Sequence, residues 1–328
     1  MATRTGPRHL MSGWHNNMPR AIDEDASLLR PVGVFVLHYA TVVVSTLVLH
    51  DLLVDDQTSD ANDEEESAAK HAGQMVSGFL LAYTALLFGT RCLSSFTAGR
   101  LRQHAVFYEL TWLCNMTLFM SALSLGGWSD SWVLRRRPTV ATAFCVSVSV
   151  DQILWYLDLM AYFATGRFPV GVAKYLTWTQ TLWIDKITCT HHLWCIPLVL
   201  YGSGQPLTFD SYKLNAVIVT THVLLSRWLT SESIMIASKD ESQEQLENVR
   251  QDPSKYRYLN VNLSHSLWRD IKIRFVQISR DDPGCFLYMF RLLLRWQVFN
   301  LMTFVLILQP LSHMLLSTSY VRSPNTYT

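Results

Sequence analysis

Long apolar stretches alternate with shorter polar ones along most of the chain. Seven of these stretches reach the roughly 20 residues that a helix needs to cross the hydrocarbon core of a bilayer. They run over residues 31–54, 73–91, 104–125, 139–164, 170–200, 212–235 and 291–318. The first is the clearest, because no Asp, Glu, Lys or Arg lies between Arg30 and Asp51. The pattern predicts an all-α fold, a multi-pass transmembrane helical bundle of about seven spans.

The composition is that of a membrane protein. Of the 328 residues, 49% are hydrophobic and 16% are charged, whereas a soluble domain carries about 25% charged residues. The net charge of +1 argues against a nucleic-acid partner, which requires a basic surface. No continuous apolar core precedes Arg30. We therefore expect no cleavable signal peptide, insertion through the first span, and a place in the endomembranes, above all the endoplasmic reticulum.

Polar segments divide the chain into three parts. A single transmembrane helical domain, 31–318, lies between a polar amino-terminal tail, 1–30, and a carboxy-terminal tail, 319–328. Within the domain, the acidic loop 55–71 is typical of a solvated spacer. The long polar loop 236–290 is rich in Arg and Lys, and the positive-inside rule places it in the cytosol.

The fifth stretch has polar residues where hydrocarbon favours Leu or Val. Asp185, Cys189, His191 and His192 all lie within residues 183–197. Ionisable groups at membrane depth are costly, so they usually face a protein interior or a wet cavity and mark function. On a continuous helix, Asp185, Cys189 and His192 share one face. Adjacent histidines diverge by about 100° on a helix, so the sequence predicts no metal site, and no cofactor is predicted either.

The third stretch contains two candidate nucleophiles, Thr111 and Cys114. A thiol or hydroxyl attacks an acyl carbonyl well only when a base takes its proton. A neutral imidazole of His191 or His192 can supply that base from the fifth stretch. Asp185 can orient the imidazole or fix its tautomer. Packing and backbone hydrogen bonding are the ordinary roles of Cys and Thr in a spanning helix, and these alternatives remain open.

Other polar residues are candidates for substrate binding. His222 in the sixth stretch can act as a second acid or base or bind a phosphate head group, although a hydrogen bond to a neighbouring helix is an equal alternative. Asn115 and Asn262 are the other substrate-binding candidates. Asp151 and Asp158 lie seven residues apart in the fourth stretch, and we favour structural pairing with a lysine over a proton path.

The order of these motifs resembles that of the YwaF-like integral membrane proteins and their animal relative, the transmembrane protein 164 family. Cys114, the pair Asp185 and His191, then His222, and finally residues 261–263 (Val-Asn-Leu) match the family's motifs in the same order. The resemblance implies a membrane acyltransferase that moves a polyunsaturated acyl chain onto ether lysophospholipids, with a Cys nucleophile and a His partner. The Pro and His that flank the family's cysteine are replaced by Leu and Asn here.

A second resemblance leads to a different nucleophile. Residues 110–113 (Leu-Thr-Trp-Leu) and the spacing from His192 to Pro197 are similar to motifs of the androgen-induced hydrolases of fatty acid esters of hydroxy fatty acids. That family implies a Thr nucleophile and a His partner in spanning helices. On this resemblance Thr111 and His192 act together and Cys114 serves in packing.

Both resemblances imply acyl chemistry on membrane lipids, with a phospholipid, a lysophospholipid or a fatty-acid ester as the partner. The sequence thus predicts covalent catalysis, in which release to a lysophospholipid is transfer and release to water is hydrolysis. A rival from another class is a proton- or ion-coupled transporter or channel, with Asp151, Asp158, Asp185 and the histidines along its path. A third alternative is a non-catalytic lipid-binding membrane protein.

Overall fold

The computed structural model describes most of the predicted domain. It covers residues 21–24, 27–54, 63–177, 181–236, 256–265, 278 and 284–321. Most of the two predicted tails, part of the acidic loop and most of the long polar loop therefore lie outside the described residues.

Ten α-helices make up most of the described chain. They are α1 (Leu29–Leu53), α2 (Asp63–Thr97), α3 (Arg100–Leu110), α4 (Leu113–Gly126), α5 (Pro138–Thr165), α6 (Trp183–Thr188), α7 (His191–Ser203), α8 (Phe209–Leu229), α9 (Cys285–Thr303) and α10 (Gln309–Val321). A π-helical turn, Phe304–Leu308, joins the last two. The predicted helical class is confirmed.

Three short strands add a small sheet to the helices. Strand β1 (Ala21–Glu24) pairs in parallel with β2 (Ser233–Ile236), with Ala21 opposite Ser233. Strand β3 (Tyr256–Tyr258) pairs antiparallel with β2, with Tyr258 opposite Ser233. The sheet brings the chain before α1 next to the chain after α8.

Four helices are long and apolar enough to cross a membrane: Leu29–Leu53, Glu66–Thr97, Pro138–Thr165 and Cys285–Ser317. They contain the first, second, fourth and seventh predicted spans. The third predicted span is the bent pair α3–α4, which makes a fifth candidate when the two helices are counted together. Length and composition thus give four or five spans within the described residues, so the predicted count of about seven is not confirmed.

The predicted span 170–200 is wrong as a single helix. A short 3₁₀ turn, Lys174–Thr177, comes first, and Leu182 is extended before α6 begins. Helix α6 then ends after six residues, at a turn formed by Cys189 and Thr190. The hydroxyls of Thr188 and Thr190 donate to carbonyls of the preceding turn, and such bonds compete with regular helical ones.

Helix α2 begins at Asp63, inside the predicted acidic loop 55–71. The run of residues 63–66 (Asp-Glu-Glu-Glu) is the start of its sequence, and acidic residues near a helix amino terminus favour the helix through its dipole. The loop is therefore shorter than predicted, because acidic residues are compatible with the first turn of a helix.

Helix α5 is the centre of the bundle. It packs against α4, α7, α8 and α9. In its most apolar segment 67% of the residues are buried, against 22–33% in the other three candidate spans. Helix α2 packs against α3, α4 and α7, and α1 packs against α3 and α8. The polar residues of α4, α5 and α7 therefore meet inside the protein, as burial costs require.

Candidate functional site

The site forms where two broken helices meet. Helices α3 and α4 are bent by 54° about Thr111 and Trp112, and α6 and α7 are separated by the turn at Cys189 and Thr190. A helix break frees backbone N–H and C=O groups, which within a membrane are tolerated only inside protein or beside a wet cavity. Two breaks at one place are therefore a strong structural sign of a functional centre.

Asn262 holds the first break open. Its side-chain Oδ1 accepts the backbone N–H of Leu113 at 2.8 Å, and its Nδ2 donates to the Thr111 carbonyl at 3.3 Å. Nδ2 also donates to the Ser226 hydroxyl at 2.8 Å. The inserted amide replaces helical bonds that the bend removes, which is a recognised cause of kinks. Asn262 itself has a φ of 51°, a left-handed conformation that Asn tolerates.

Cys114 is the second residue of α4, directly after this break. It therefore lies in the first turn of that helix, at the positive end of the helix dipole. Cys114 is half-buried, whereas Cys145, Cys189 and Cys195 are buried. It is therefore more accessible than these three cysteines.

The second break positions two histidines. His191 and His192 open α7, and the Nδ1 of each ring is hydrogen-bonded to the carbonyl three residues earlier, at 2.6 Å to Thr188 and 2.8 Å to Cys189. A carbonyl only accepts, so each Nδ1 carries the proton and each neutral ring keeps its lone pair on Nε2. The Nε2 of His191 is buried and has no hydrogen-bond partner within the part of the chain that the structure describes.

Cys114, His191 and His192 converge. The sulfur and one ring nitrogen of each histidine all lie within 4.8 Å of one another. The expectation that adjacent histidines diverge is wrong here, because the two backbone carbonyls draw both rings back along the chain. The ring centroids are 4.2 Å apart and the planes are tilted by 31°. The predicted meeting of the third and fifth stretches is thus present in the structure.

Helix α5 borders this cluster with Asp151 and Trp155. The Oδ2 of Asp151 is 3.7 Å from the Nε2 of His192, and the Trp155 ring stacks on His192 at 5.4 Å. Asp151 lies at the middle of α5 and its side chain is 45% exposed, so the cluster opens outward there. The sequence indicated a structural pairing of Asp151 with a lysine; its partner is instead the imidazole of His192.

Arg91 is a site residue that sequence reasoning missed. The predicted second span, 73–91, ends at this residue, but α2 continues to Thr97 and Arg91 is only 8% exposed. Its guanidinium donates to the Thr188 hydroxyl at 3.3 Å and to the Cys189 sulfur at 3.5 Å, and it interacts electrostatically with Cys114. The sequence does place an Arg close to the end of an apolar stretch. Whether such an Arg is buried depends on how far the helix continues beyond it.

Asp185 does not orient an imidazole. Its Oδ2 accepts from Arg102 at 2.7 Å, and Arg102 also binds both oxygens of Glu109 at 3.0–3.1 Å. The three side chains are 10–14% exposed and tie α3 to α6. The predicted shared face with His192 fails because the helix is interrupted between the two residues. Backbone carbonyls, not Asp185, fix the tautomer of both histidines.

The remaining candidates are engaged elsewhere. The Thr111 hydroxyl is fully buried and donates to the Tyr108 carbonyl at 2.6 Å. His222 is fully buried and its Nδ1 is hydrogen-bonded to the Nε2 of His38 at 2.8 Å, so it takes the neighbouring-helix alternative. The Nδ2 of Asn115 donates to the Glu109 carbonyl at 3.1 Å, while its Oδ1 is buried and has no partner among the described side chains and backbone groups. The side-chain amide of Asn262 is engaged in the hydrogen bonds at the break between α3 and α4.

Asp158 has a structural role. Its carboxylate accepts the backbone N–H groups of Val170, Gly171 and Ala173 at 2.8–3.1 Å. The structural reading favoured from the sequence was right about the role, but the partners are backbone amides of the following loop and not a lysine.

We expect Asn262→Ala to lower the free energy of unfolding by about 1–3 kcal/mol, because the Leu113 N–H would be buried without an acceptor. The same change should alter the rate at which a maleimide labels Cys114, since the start of α4 would shift. Thermal unfolding in detergent and a labelling time course measure the two effects. Ser226→Ala removes only one of the three hydrogen bonds of Asn262 and keeps the acceptor for Leu113, and a loss as large as that of Asn262→Ala would contradict this role.

His265 makes the loop that carries Asn262 sensitive to pH. Arg227 donates to the Nδ1 of His265 at 3.1 Å, so this nitrogen keeps a lone pair. Burial and, next, the Arg227 charge lower the pKa of His265 to about 3. The unfolded chain, with an ordinary pKa near 6.5, then binds more protons than the folded one between these values. Stability is complete above about pH 6.5 and is lost as the pH falls toward 3, by at most about 1.4 kcal/mol per pH unit.

The measurement is the melting temperature of the detergent-purified protein between pH 7.5 and 5. His265→Gln keeps an acceptor for Arg227 but does not titrate, so its melting temperature should fall less over this range than that of the wild type. Identical slopes for the two proteins would exclude His265 as the source.

Comparisons with profiles of protein families, with curated proteins and with solved structures found no match. The geometry of the site is therefore the basis for a functional proposal.

Proposed function

We propose that the protein is an integral membrane acyltransferase that moves acyl chains between phospholipids through an acyl-enzyme on Cys114. One observation carries the proposal: a half-buried thiol at a helix amino terminus lies within 4.8 Å of ring nitrogens of His191 and His192. Nucleophile and base within reach, with the base oriented by a third group, is the arrangement that covalent catalysis requires. Here the orienting groups are the carbonyls of Thr188 and Cys189.

Acyl-enzyme formation begins with the proton of Cys114. His191 takes it on Nε2, its free nitrogen, and the thiolate attacks the carbonyl carbon of a phospholipid ester. The new C–S bond forms as the carbonyl π electrons move to oxygen. When they return, the bond to the glycerol oxygen breaks, and that oxygen takes the proton from His191. The products are a thioester on Cys114 and a lysophospholipid.

Transfer reverses these steps with a different acceptor. The hydroxyl of a second lysophospholipid gives its proton to His191 and attacks the thioester carbonyl. The C–S bond breaks and the Cys114 thiolate recovers the proton. Asp151 lies beside His192 and can carry a negative charge, and Arg91 lies beside Cys189 and carries a positive charge. The two side chains can stabilise the charges that develop during the reaction. A bundle interior that excludes water favours transfer over hydrolysis.

The distribution of the acids supports chemistry over conduction. A proton or ion path needs a chain of ionisable groups that face one another. Instead, Asp158 binds backbone amides, Asp185 binds Arg102, and only Asp151 borders the histidines. We also propose that the broken pair α6–α7 and helix α8 complete a bundle of seven spans, and that the protein resides in the endoplasmic reticulum.

The test is to trap the intermediate. The purified protein in nanodiscs is incubated with diacyl phospholipid and without lysophospholipid, and its intact mass is measured. We expect an adduct of one acyl chain, which peptide mapping assigns to Cys114 and which neutral hydroxylamine removes, because hydroxylamine cleaves thioesters and spares oxygen esters. His191→Gln should prevent the adduct. A hydroxylamine-resistant adduct on Thr111 would support the hydrolase alternative, and no adduct with any phospholipid would overturn the acyl-enzyme.

A further inference from the structure

The cluster of Cys114, His191 and His192 also has the composition of a metal site. Among the described residues it is the group of three His, Cys, Asp or Glu side chains whose ligand atoms approach closely enough for a shared ion. One thiolate and two imidazoles are the ligands that borderline and soft transition metals prefer, and they do not suit Mg²⁺ or Ca²⁺. The geometry of these side chains suits a metal ion whether or not the site carries out acyl chemistry.

The distances suit Zn²⁺ after a small adjustment. Zinc bonds of about 2.0–2.1 Å to nitrogen and about 2.3 Å to sulfur place tetrahedral ligands about 3.3–3.6 Å apart. The ligand atoms here lie within 4.8 Å of one another. Side-chain rotations that move these atoms by about 1 Å would bring them to the distances that zinc requires. The cysteine is half-buried, which leaves it room to rotate.

Both histidines are already prepared as ligands. Metal-binding histidines almost always donate their other ring N–H to a carbonyl or carboxylate, which fixes the tautomer and directs the lone pair at the metal. His191 and His192 each do so through Nδ1, to Thr188 and Cys189. The Nε2 of His191 is buried, and no described residue offers it a hydrogen-bond partner. Unpaired buried polar atoms are costly, so this one calls for an explanation.

Asp151 lies beside this cluster, although it is not one of the three residues whose ligand atoms all lie within 4.8 Å of one another. Its Oδ2 lies 3.7 Å from the Nε2 of His192. With Nδ1 of His192 donating to Cys189, the neutral ring directs a lone pair toward the carboxylate, so two acceptors face each other. A cation bound at the cluster reduces that repulsion.

We propose that Cys114, His191 and His192 bind Zn²⁺ with the Asp151 carboxylate beside them, and that the bound ion holds Cys114 as a metal thiolate that does not react with electrophiles. The site is thus a Zn²⁺-responsive one, and where the proposed acyl transfer operates, Zn²⁺ inhibits it by occupying both the nucleophile and the base.

The experiment measures binding directly on the full-length protein in detergent without lipid. The probe is Co²⁺, whose tetrahedral thiolate complexes show a sulfur-to-metal charge-transfer band, displaced by Zn²⁺ to give the zinc affinity. We expect saturation at one ion per chain. Cys114→Ser should remove the charge-transfer band, and His191→Gln or Asp151→Asn should weaken Zn²⁺ binding at least about tenfold. Cys285→Ser, which changes an exposed cysteine outside the cluster, is the matched control and should bind as the wild type does.

A second readout guards against variants that do not fold. In the wild type, Zn²⁺ should protect Cys114 from iodoacetamide, while Mg²⁺ at the same concentration should not. A charge-transfer band that persists in Cys114→Ser, or unchanged alkylation of Cys114 in saturating Zn²⁺, would overturn the inference. Zinc binding without an acyl adduct would retire the proposed function alone; an acyl adduct that forms at the same rate in Zn²⁺ would retire the zinc site alone.

Discussion

Cys114→Ala is expected to lower the rate of acyl transfer between phospholipids by at least about 10³-fold, because it removes the atom that carries the acyl chain. Helix α4 begins before this residue and is anchored by Asn262 through Leu113, so the fold should survive the change. The measurement is transfer of a labelled acyl chain from phospholipid to lysophospholipid in nanodiscs, followed by mass spectrometry of the lipids. The melting temperature in detergent should fall by only a few degrees.

Cys92→Ala is the matched control. Cys92 is half-buried in helix α2, as Cys114 is in α4, but it belongs to no group of metal-ligating side chains among the described residues. Its removal should leave transfer within about twofold of the wild type, in line with the small effect of changes outside a site. If Cys114→Ala retained full activity and Thr111→Ala lost it, the buried hydroxyl would be the nucleophile and the reading of the site would be reversed.

Periodicity and apolar length were enough to predict the helical class and the long helices, because a spanning segment must be apolar over about 20 residues whatever it packs against. They failed where backbone geometry depends on a distant side chain. The bend between α3 and α4 has no Pro or Gly at Thr111 and Trp112. It exists because Asn262, about 150 positions away in the chain, inserts its amide there. No local pattern contains that information.

The candidate site divides in the same way. The convergence of Cys114 with His191 and His192 was predictable, because costly polar groups in different spans must find one another inside the bundle. Their orientation was not. On a continuous helix, Asp185 and His192 would share one face and His191 would point about 100° away from it. That geometry holds only while the helix is uninterrupted. The turn at Cys189 breaks it, and the histidines then take their orientation from the carbonyls behind them.

Arg102→Met is expected to lower the free energy of unfolding by about 3–5 kcal/mol. Arg102 is the shared partner of Glu109 and Asp185, at 3.0 Å and 2.7 Å, and all three side chains are 10–14% exposed. Without the guanidinium, two carboxylates lose their direct partner and remain close together with little water to solvate them, and the charge of Arg91 offsets this only in part. Removing one partner of a buried ion pair is among the most destabilising single changes. Chemical or thermal unfolding in detergent measures the loss.

A compensated variant separates charge burial from packing. In Arg102→Met combined with Glu109→Gln and Asp185→Asn, no charge is left in the cluster, so most of the lost stability should return. Asp185→Asn alone keeps the Glu109 pair and should cost less than Arg102→Met. Because Asp185 binds Arg102 and not a histidine, the compensated variant should also keep acyl transfer. A fully stable compensated variant with no transfer would restore to Asp185 a part in the chemistry, acting on the histidines across the turn that now separates them.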